Sequence, residues 1–300
     1  MQEVLPEIPK CCMVVACADH GVYRQKVSAY PQSTTVGMVK SYVDVKGASA
    51  NALAHYCGAH MVVVDMGINA DMSDVPGLLH RKIAFGTKDI TEGAAMSRAE
   101  AIHAIEAGIE IAENKIKEGY RVFTVGEMGI ANTTASACIL GAFNRWNAVE
   151  VTGRGTNISD ARLLHKIEMV QKALDVNQPD PADGLDVLSK VGGFEFGCMT
   201  GIMLGAAANR CLTIIDGFNS TASAFIAKAL SEESVQYLMA SHLSLEQAHR
   251  KSLKAIGLTE YIDLDIRLGE AVGASIQKKI LDMAIVVYKD GADKRTGVAE

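Results

Sequence analysis

The chain has no C-x-x-C pair, no H-x-x-x-H and no other Cys/His cluster at metal-ligand spacing, which argues against a protein-bound metal. Its seven cysteines are scattered (Cys11, Cys12, Cys17, Cys57, Cys138, Cys198, Cys211), several within apolar runs, where reduced cysteine behaves as a small hydrophobe. It lacks a G-x-S-x-G nucleophile elbow, and no G-K-[ST] follows any glycine turn, so neither an α/β-hydrolase nor a P-loop is indicated. It has no excess of positive charge. Lys+Arg 29 against Asp+Glu 35 leave −6, which excludes an electrostatic nucleic-acid binder. No run is apolar enough for a membrane: the longest uncharged stretch, 128–144, carries too much Asn, Thr, Ser and Gly. Residues 1–10 are polar and contain proline, unlike a signal peptide. No internal repeat or low-complexity segment is present. These absences predict a soluble, reduced, cytoplasmic protein long enough to bury a substantial core.

What the chain does have is alternation. Apolar, β-branched runs at 13–16, 61–65, 121–125, 211–215 and 235–240 predict buried parallel strands separated by helices. Residues 97–118 form the clearest helix. Ser97 and Glu100 make a capping box, Ile102, Ile105, Ile109, Ala112 and Ile116 recur at helical steps, and Gly119 stops it. A second helix is predicted over 270–289, with Ile276, Ile280, Met283 and Val287 on one face and Gly291 just beyond. Residues 177–184 read as a loop. The expected fold is α/β, a Rossmann-like open parallel sheet flanked by helices.

In such sheets ligands gather beyond the carboxyl ends of the strands. Polar or glycine clusters follow each predicted strand here: Asp19-His20-Gly21, Asp65-Met66-Gly67, Gly126-Glu127, Asp216 to Thr221, and Ser241-His242. The richest is Gly126-Glu-Met-Gly-Ile-Ala-Asn-Thr-Thr134, a strand–turn–helix whose helix N-terminus suits a phosphate. Gly126 and Gly129 are expected to let the backbone approach that anion. Glu127 would repel phosphate, so a sugar hydroxyl or a cationic ring is its better partner. The turn lacks the close G-x-G opening and the later acidic residue of a dinucleotide fingerprint, which leaves a redox enzyme a weak alternative. Asp19 and His20 read equally as a catalytic pair or a turn cap. Lys166, on a helix predicted over 160–174 behind the turn Gly153-Arg-Gly-Thr-Asn157, is either a solvated lysine or the partner of a phosphate held by Thr133 or Thr134. Gly192-Gly193 opens a further helix. Glu270, between apolar neighbours at the mouth of the C-terminal helix, is a helix-dipole contact or, in an apolar pocket, a general base.

Taken in order, Ala18-Asp-His-Gly21, Val27-Ser-Ala-Tyr-Pro-Gln32, Val64-Asp-Met-Gly67, Gly93-Ala-Ala-Met-Ser-Arg-Ala-Glu100, the 126–134 turn, Gly155-Thr156, Gly192-Gly-Phe-Glu195, Asp216-Gly-Phe218, Ala240-Ser-His242 and Arg267-Leu-Gly-Glu270 resemble the nicotinate-nucleotide–dimethylbenzimidazole phosphoribosyltransferase family. The resemblance runs from about residue 12 to 286. It implies a Rossmann-like domain over 1–269, a C-terminal segment 270–300 contributing to a small helical domain reduced at the N-terminus, and a dimer. It implies transfer of 5-phosphoribosyl from nicotinate mononucleotide to a lower-ligand base of cobamides, giving an α-ribotide and nicotinate, with no cofactor. Glu270 would be the general base. Ser28, Tyr30, Gln32 and Leu268 would form the base pocket, and Glu127, Gly129, Asn132, Thr133, Thr134, Lys166 and Ser244 would hold the ribose phosphate and nicotinate. Three departures stand out: Ala271-Val272 replaces the Gly-Thr that usually follows the glutamate, Ala131 replaces a glycine, and the chain begins almost at its first strand. The first is expected to alter the base-pocket wall. The first and third together raise a second expectation, a supporting subunit in a heterodimer with a paralogue, some of which act on phenolic bases.

Overall fold

The computed structural model describes residues 7–295. The strands are β1 (Cys11–Ala18), β2 (His60–Gly67), β3 (Leu78–His80), β4 (Val122–Met128), β5 (Leu212–Ile215), β6 (Leu238–Ala240), β7 (His242–Ser244) and β8 (Ile262–Ile266). The helices are α1 (Ser33–Lys40), α2 (Ser49–Cys57), α3 (Arg98–Lys117), α4 (Asn132–Asn144), α5 (Ala148–Val151), α6 (Asp160–Asn177), α7 (Gly184–Val191), α8 (Phe194–Ala208), α9 (Phe218–Leu230), α10 (His249–Ile256) and α11 (Val272–Arg295).

Six strands form one parallel sheet in the order β3-β2-β1-β4-β5-β6, and β7 pairs with β8 in a small parallel ribbon. The chain starts at the centre of the sheet, winds outward, then returns to lay β4 against the other side of β1. The reversal opens a crevice at the carboxyl ends of the strands, where such sheets bind ligands. β1 shows why the central strands are apolar throughout. Cys12, Val14, Ala16 and Ala18 face one core with α3, α4, α8 and α9, while Cys11, Met13, Val15 and Cys17 face another with α1, α2 and α11. Both faces of the pleat are covered, so no alternation with polar residues is needed. Helix α8 is likewise buried almost all round, which matches its lack of a polar face.

The predicted elements form with shifted boundaries. The Ser97–Glu100 capping box closes as expected, Glu100 N donating to Ser97 Oγ at 3.2 Å and Ser97 N to Glu100 Oε2 at 2.7 Å. Over 235–240 only Leu238–Ala240 is strand, because Glu232–Tyr237 coil into a 3₁₀ turn. The C-terminal helix does not stop before Gly291 but runs through it to Arg295. Its expected apolar face is also displaced. Ala274, Ser275, Lys278 and Asp282 are buried, the last two as an ion pair, while Met283, Val286 and Val287 are exposed. Two elements carried too little local signal to be predicted: the three-residue β3 and the β7–β8 ribbon. No described helix is long and apolar enough to cross a membrane.

Candidate active site

A cavity of about 610 Å³ opens beyond the ends of β4, β5 and β6, within the ~300–1,000 Å³ usual for small-molecule sites. Glu127, at the end of β4, lies on its floor, 6% exposed. Asn219 Nδ2 donates to its Oε1 at 2.8 Å, and Asn132 Nδ2 donates to its Oε2. Asn219 is fixed in turn by Ser136 Oγ, which donates to its Oδ1 at 2.6 Å. Both carboxylate oxygens are therefore already engaged by protein donors.

Glu270 lines the same cavity, 4% exposed. Gly269, Glu270 and Ala271 all take left-handed backbone angles (φ 80, 61 and 61°), an unusual run that turns the chain sharply into α11. Asp216, at the end of β5, holds this turn: its Oδ1 accepts Ala274 N–H at 2.9 Å. Gly126 explains how the two glutamates come together. A Cβ there would overlap the backbone of Glu270 and Ala271. A Cβ on Gly129 would overlap the Ala18 carbonyl of β1. These glycines thus make room for protein backbone, a requirement set by tertiary packing and invisible in the local sequence.

Burial concentrates carboxylates here, and their titration follows. Desolvation, helped by Glu195, Asp216 and Glu270, pushes the Glu127 carboxyl up to about 8, against the Asn219 hydrogen bond. Asp216 is pushed up to about 7 by burial, restrained by the amides of Ala274, Gly273 and Ala271. Glu270 is also raised by burial, an effect opposed by the Tyr42 hydroxyl alongside it. For a carboxyl raised in the folded state, the unfolded chain ionises first. The stability it contributes is full below the ordinary carboxylate range and is lost as pH rises through the folded value. The ligand-free protein should lose stability between about pH 4.5 and 8. Glu127→Gln should flatten part of that loss. Thermal unfolding of both forms at pH 5 and 8.5 checks this; an equal melting-temperature difference at the two values would contradict it.

The third element is the uncapped start of α4. Ala131 is the N-cap, in the glycine-like left-handed conformation (φ 79°), and no side chain caps the helix. Asn132 N–H and Thr134 N–H bond the Gly129 and Ala131 carbonyls at 3.3 and 3.0 Å, which leaves Thr133 N–H to meet a ligand. Thr133 lines the cavity there, and Lys166 of α6 stands directly behind it, 1% exposed, donating to Thr133 Oγ1 at 2.8 Å and to the Gly153 carbonyl at 3.2 Å. Burial lowers the Lys166 pKa, with the Glu246 charge opposing that shift. Gly155 (φ 50°) passes so close that a Cβ would sit 2.7 Å from Thr133 Oγ1. Its N–H donates to Glu246 Oε1 at 2.8 Å. Lys166 is therefore a buried partner of Thr133, not a solvated lysine.

Of the residues singled out from sequence, Glu127, Gly129, Asn132, Thr133, Ser244, Tyr30, Leu268 and Glu270 line the cavity. Tyr30 and Leu268 are half exposed at its rim. Lys166 and Ser28 stand one layer back; Ser28 Oγ lies 3.3 Å from Thr156 Oγ1, whose oxygen also accepts Ala29 N–H at 2.9 Å. Thr134 and Gln32 are not among the lining residues: Thr134 is fully buried in α4, and Gln32 bonds Asn69 and the His20 carbonyl. Ala271 and Val272 are also absent from the cavity wall, and Ala271 packs in the core behind Glu270. The replacement of Gly-Thr therefore does not reshape the wall, contrary to expectation.

Asp19 and His20 prove to be internal braces. Asp19 accepts Thr35 Oγ1–H at 2.7 Å and Asn69 N–H at 2.9 Å, and Thr35 Oγ1 accepts Ile130 N–H at 3.2 Å, tying α1 to the glycine turn. His20 pairs with the buried Glu195 at 2.5 Å. Sequence reasoning marked the strand ends holding Asp216, Asn219 and His242 but gave them no role. It passed over Glu246, whose only local signal is a carboxylate two residues beyond Ser244.

These features agree with the comparisons to known proteins. A family model described as a phosphoribosyltransferase matches residues 1–298. Nicotinate-nucleotide–dimethylbenzimidazole phosphoribosyltransferases of Geobacter metallireducens and Chloroflexus aggregans are 44% and 45% identical, over 96% and 98% of this chain and 81% and 84% of theirs. Two Thermus thermophilus structures, one titled with the same enzyme name and one titled CobT, superpose with TM-scores of 0.87 and 0.89 at 37% and 38% identity. Each covers 93% of this chain, and 83% and 84% of its own is matched. The chain belongs to the nicotinate-nucleotide–dimethylbenzimidazole phosphoribosyltransferase family.

Proposed function

We propose that this chain transfers 5-phosphoribosyl from nicotinate mononucleotide to a benzimidazole-type lower-ligand base in cobamide assembly, with Glu270 as general base. The observation that supports this reading is that Glu270, Glu127 and the start of α4 line a single cavity. The nucleotide phosphate binds at the first turn of α4, against Gly129, Asn132, Thr133 and Ser244, with the Lys166 charge behind Thr133. Thr134 contributes only its place in that turn. The base enters over Tyr30, Met38 and Leu268, with Ser28 supporting the segment that carries Tyr30 and Gln32 bracing it from outside.

The donor's glycosidic nitrogen is cationic and leaves as a neutral pyridine, so its departure needs no protonation. The incoming nitrogen attacks C1′ from the opposite face, inverting a β-linkage to α. Glu270 removes the N–H proton as the new bond forms. Its burial keeps it from being satisfied by water and raises its basicity. Buried carboxylates in the cavity favour the donor's cationic pyridinium over the uncharged pyridine ring of nicotinate, which helps the product leave.

The expectation of a supporting subunit rested on Ala271-Val272 and the early first strand. With Ala271 packed behind Glu270, that replacement leaves the acid–base group in place, and no other observation favours this alternative. The exposed Met283, Val286 and Val287 of α11 and Tyr56 of α2 supply an apolar face on which a second copy or a paralogue would pack. The test is chromatography of products from nicotinate mononucleotide with dimethylbenzimidazole, adenine or phenol as acceptor. An α-ribotide with the benzimidazole is expected; no ribotide from any of the three, with a folded protein, overturns the reading.

A further inference from the structure

His242 is a cavity-lining group that neither the sequence nor the proposed chemistry uses, and its hydrogen bonds determine its tautomer. It follows β6, opens β7, and is 1% exposed while lining the cavity. Ser241 Oγ donates its single proton to the Asp216 carbonyl at 2.7 Å. Toward His242 Nδ1, 3.2 Å away, Ser241 Oγ can then only accept. Nδ1 therefore carries the ring proton, on the side where Asp216 Oδ1 also lies, at 3.8 Å. In a neutral imidazole this leaves Nε2 as a bare acceptor. Burial pulls the His242 pKa down to about 4, so the ring is neutral at physiological pH. Among the described residues Nε2 has no hydrogen-bond partner.

The ring lies against two glycines. A Cβ on Gly273 would overlap it on the Nδ1 side, and one on Gly217 would come within 3.3 Å of Nε2. Gly217 and Ser244 line the cavity beside it, a Cβ on Gly217 falling 3.6 Å from the Ser244 Cβ. A buried acceptor fixed in this way favours a ligand that brings a donor. The nucleotide's phosphate and carboxylate are acceptors at neutral pH and its pyridinium has no N–H. Its only donors are the two ribose hydroxyls. We propose that His242 is a substrate-contacting residue whose Nε2 accepts a hydrogen bond from a ribose hydroxyl of the nucleotide donor, setting the sugar so that C1′ faces the incoming base. This inference rests on the proposed transferase reading.

The experiment compares nicotinate mononucleotide with its 2′-deoxy and 3′-deoxy analogues, using wild type and His242→Phe. Phe keeps the ring shape between Gly217 and Gly273 and removes the acceptor. Wild type is expected to lose about 10-fold in kcat/KM on one of the two analogues. His242→Phe is expected to lose a similar factor on the natural donor and little more on that same analogue. Equal losses by the variant on all three donors would make His242 merely structural. A loss that followed the identity of the acceptor base would move its contact to the base, and either result overturns the proposal. Should His242→Phe not fold, the wild-type analogue series still decides. Undiminished turnover of both deoxy donors leaves no ribose hydroxyl for His242 to hold. If wild type makes no ribotide from the natural donor, the transferase reading itself fails, a result distinct from any of these.

Discussion

Glu270→Gln is expected to lower kcat by about 10²–10⁴-fold, the range typical of a lost general base, while leaving the KM for nicotinate mononucleotide within a few-fold. The two effects separate because Glu270 and the phosphate contacts stand on different elements, the turn before α11 and the start of α4. Glutamine keeps the size of the side chain and the strained turn, so Asp216 continues to accept Ala274 N–H. What is lost is the ability to take a proton. The pH profile gives an independent check. Burial raises the Glu270 carboxyl above the ordinary carboxylate range, and only its ionised form is a base. Wild-type kcat should therefore rise with pH through that raised value and then level off. In the variant this limb should disappear. Near-normal turnover by Glu270→Gln, or an unchanged acid limb, would show that the proton leaves by another route.

Lys166→Met should act on the other half of the reaction. The lysine supplies a buried positive charge behind Thr133, and a charge-assisted hydrogen bond of that kind is worth about 1.5–3 kcal/mol, or roughly 10–100-fold. The loss should fall on the KM for the nucleotide, with kcat changed much less. Nicotinate riboside, which lacks the phosphate, provides the control: wild type and variant should use it equally poorly. A variant impaired to the same degree on both donors would place Lys166 outside the phosphate site. Methionine fills the volume of the lysine stem but leaves the buried Glu246 without its neighbouring charge, so the variant's thermal unfolding is measured beside its kinetics. The Gly153–Gly155 loop keeps its anchor, because Glu246 still accepts Gly155 N–H.

Much of this was legible in the amino-acid sequence, for a common physical reason. The Ser97–Glu100 capping box, the continuous apolar strands and the glycine turn before Asn132 are all interactions between residues a few positions apart. Side-chain type and spacing are enough to specify them. Glu270 was legible as well, since a carboxylate among apolar neighbours at a helix mouth has few roles. Sequence order alone also implied that the polar strand ends converge, because a parallel sheet leaves its carboxyl ends on one edge.

Only the tertiary structure could decide what those groups do to one another. Gly126 reads as a phosphate-turn glycine until the backbone of Glu270 and Ala271, far away in the chain, is found against it. Asn219 engages Glu127 across 92 positions, Glu246 holds Gly155 across 91, and Asp216 fixes the turn of Glu270 across 58. The face of α11 was misjudged because Lys278 and Asp282 neutralise each other in the interior while Met283 and Val287 stay outside, a choice that depends on what packs opposite. The sequence by itself determined the elements, their order and the kinds of chemistry available. Packing decided which carboxylates are satisfied, which are held ready, and which nitrogen of His242 is left free, because burial and hydrogen-bond partners are properties of neighbours in space.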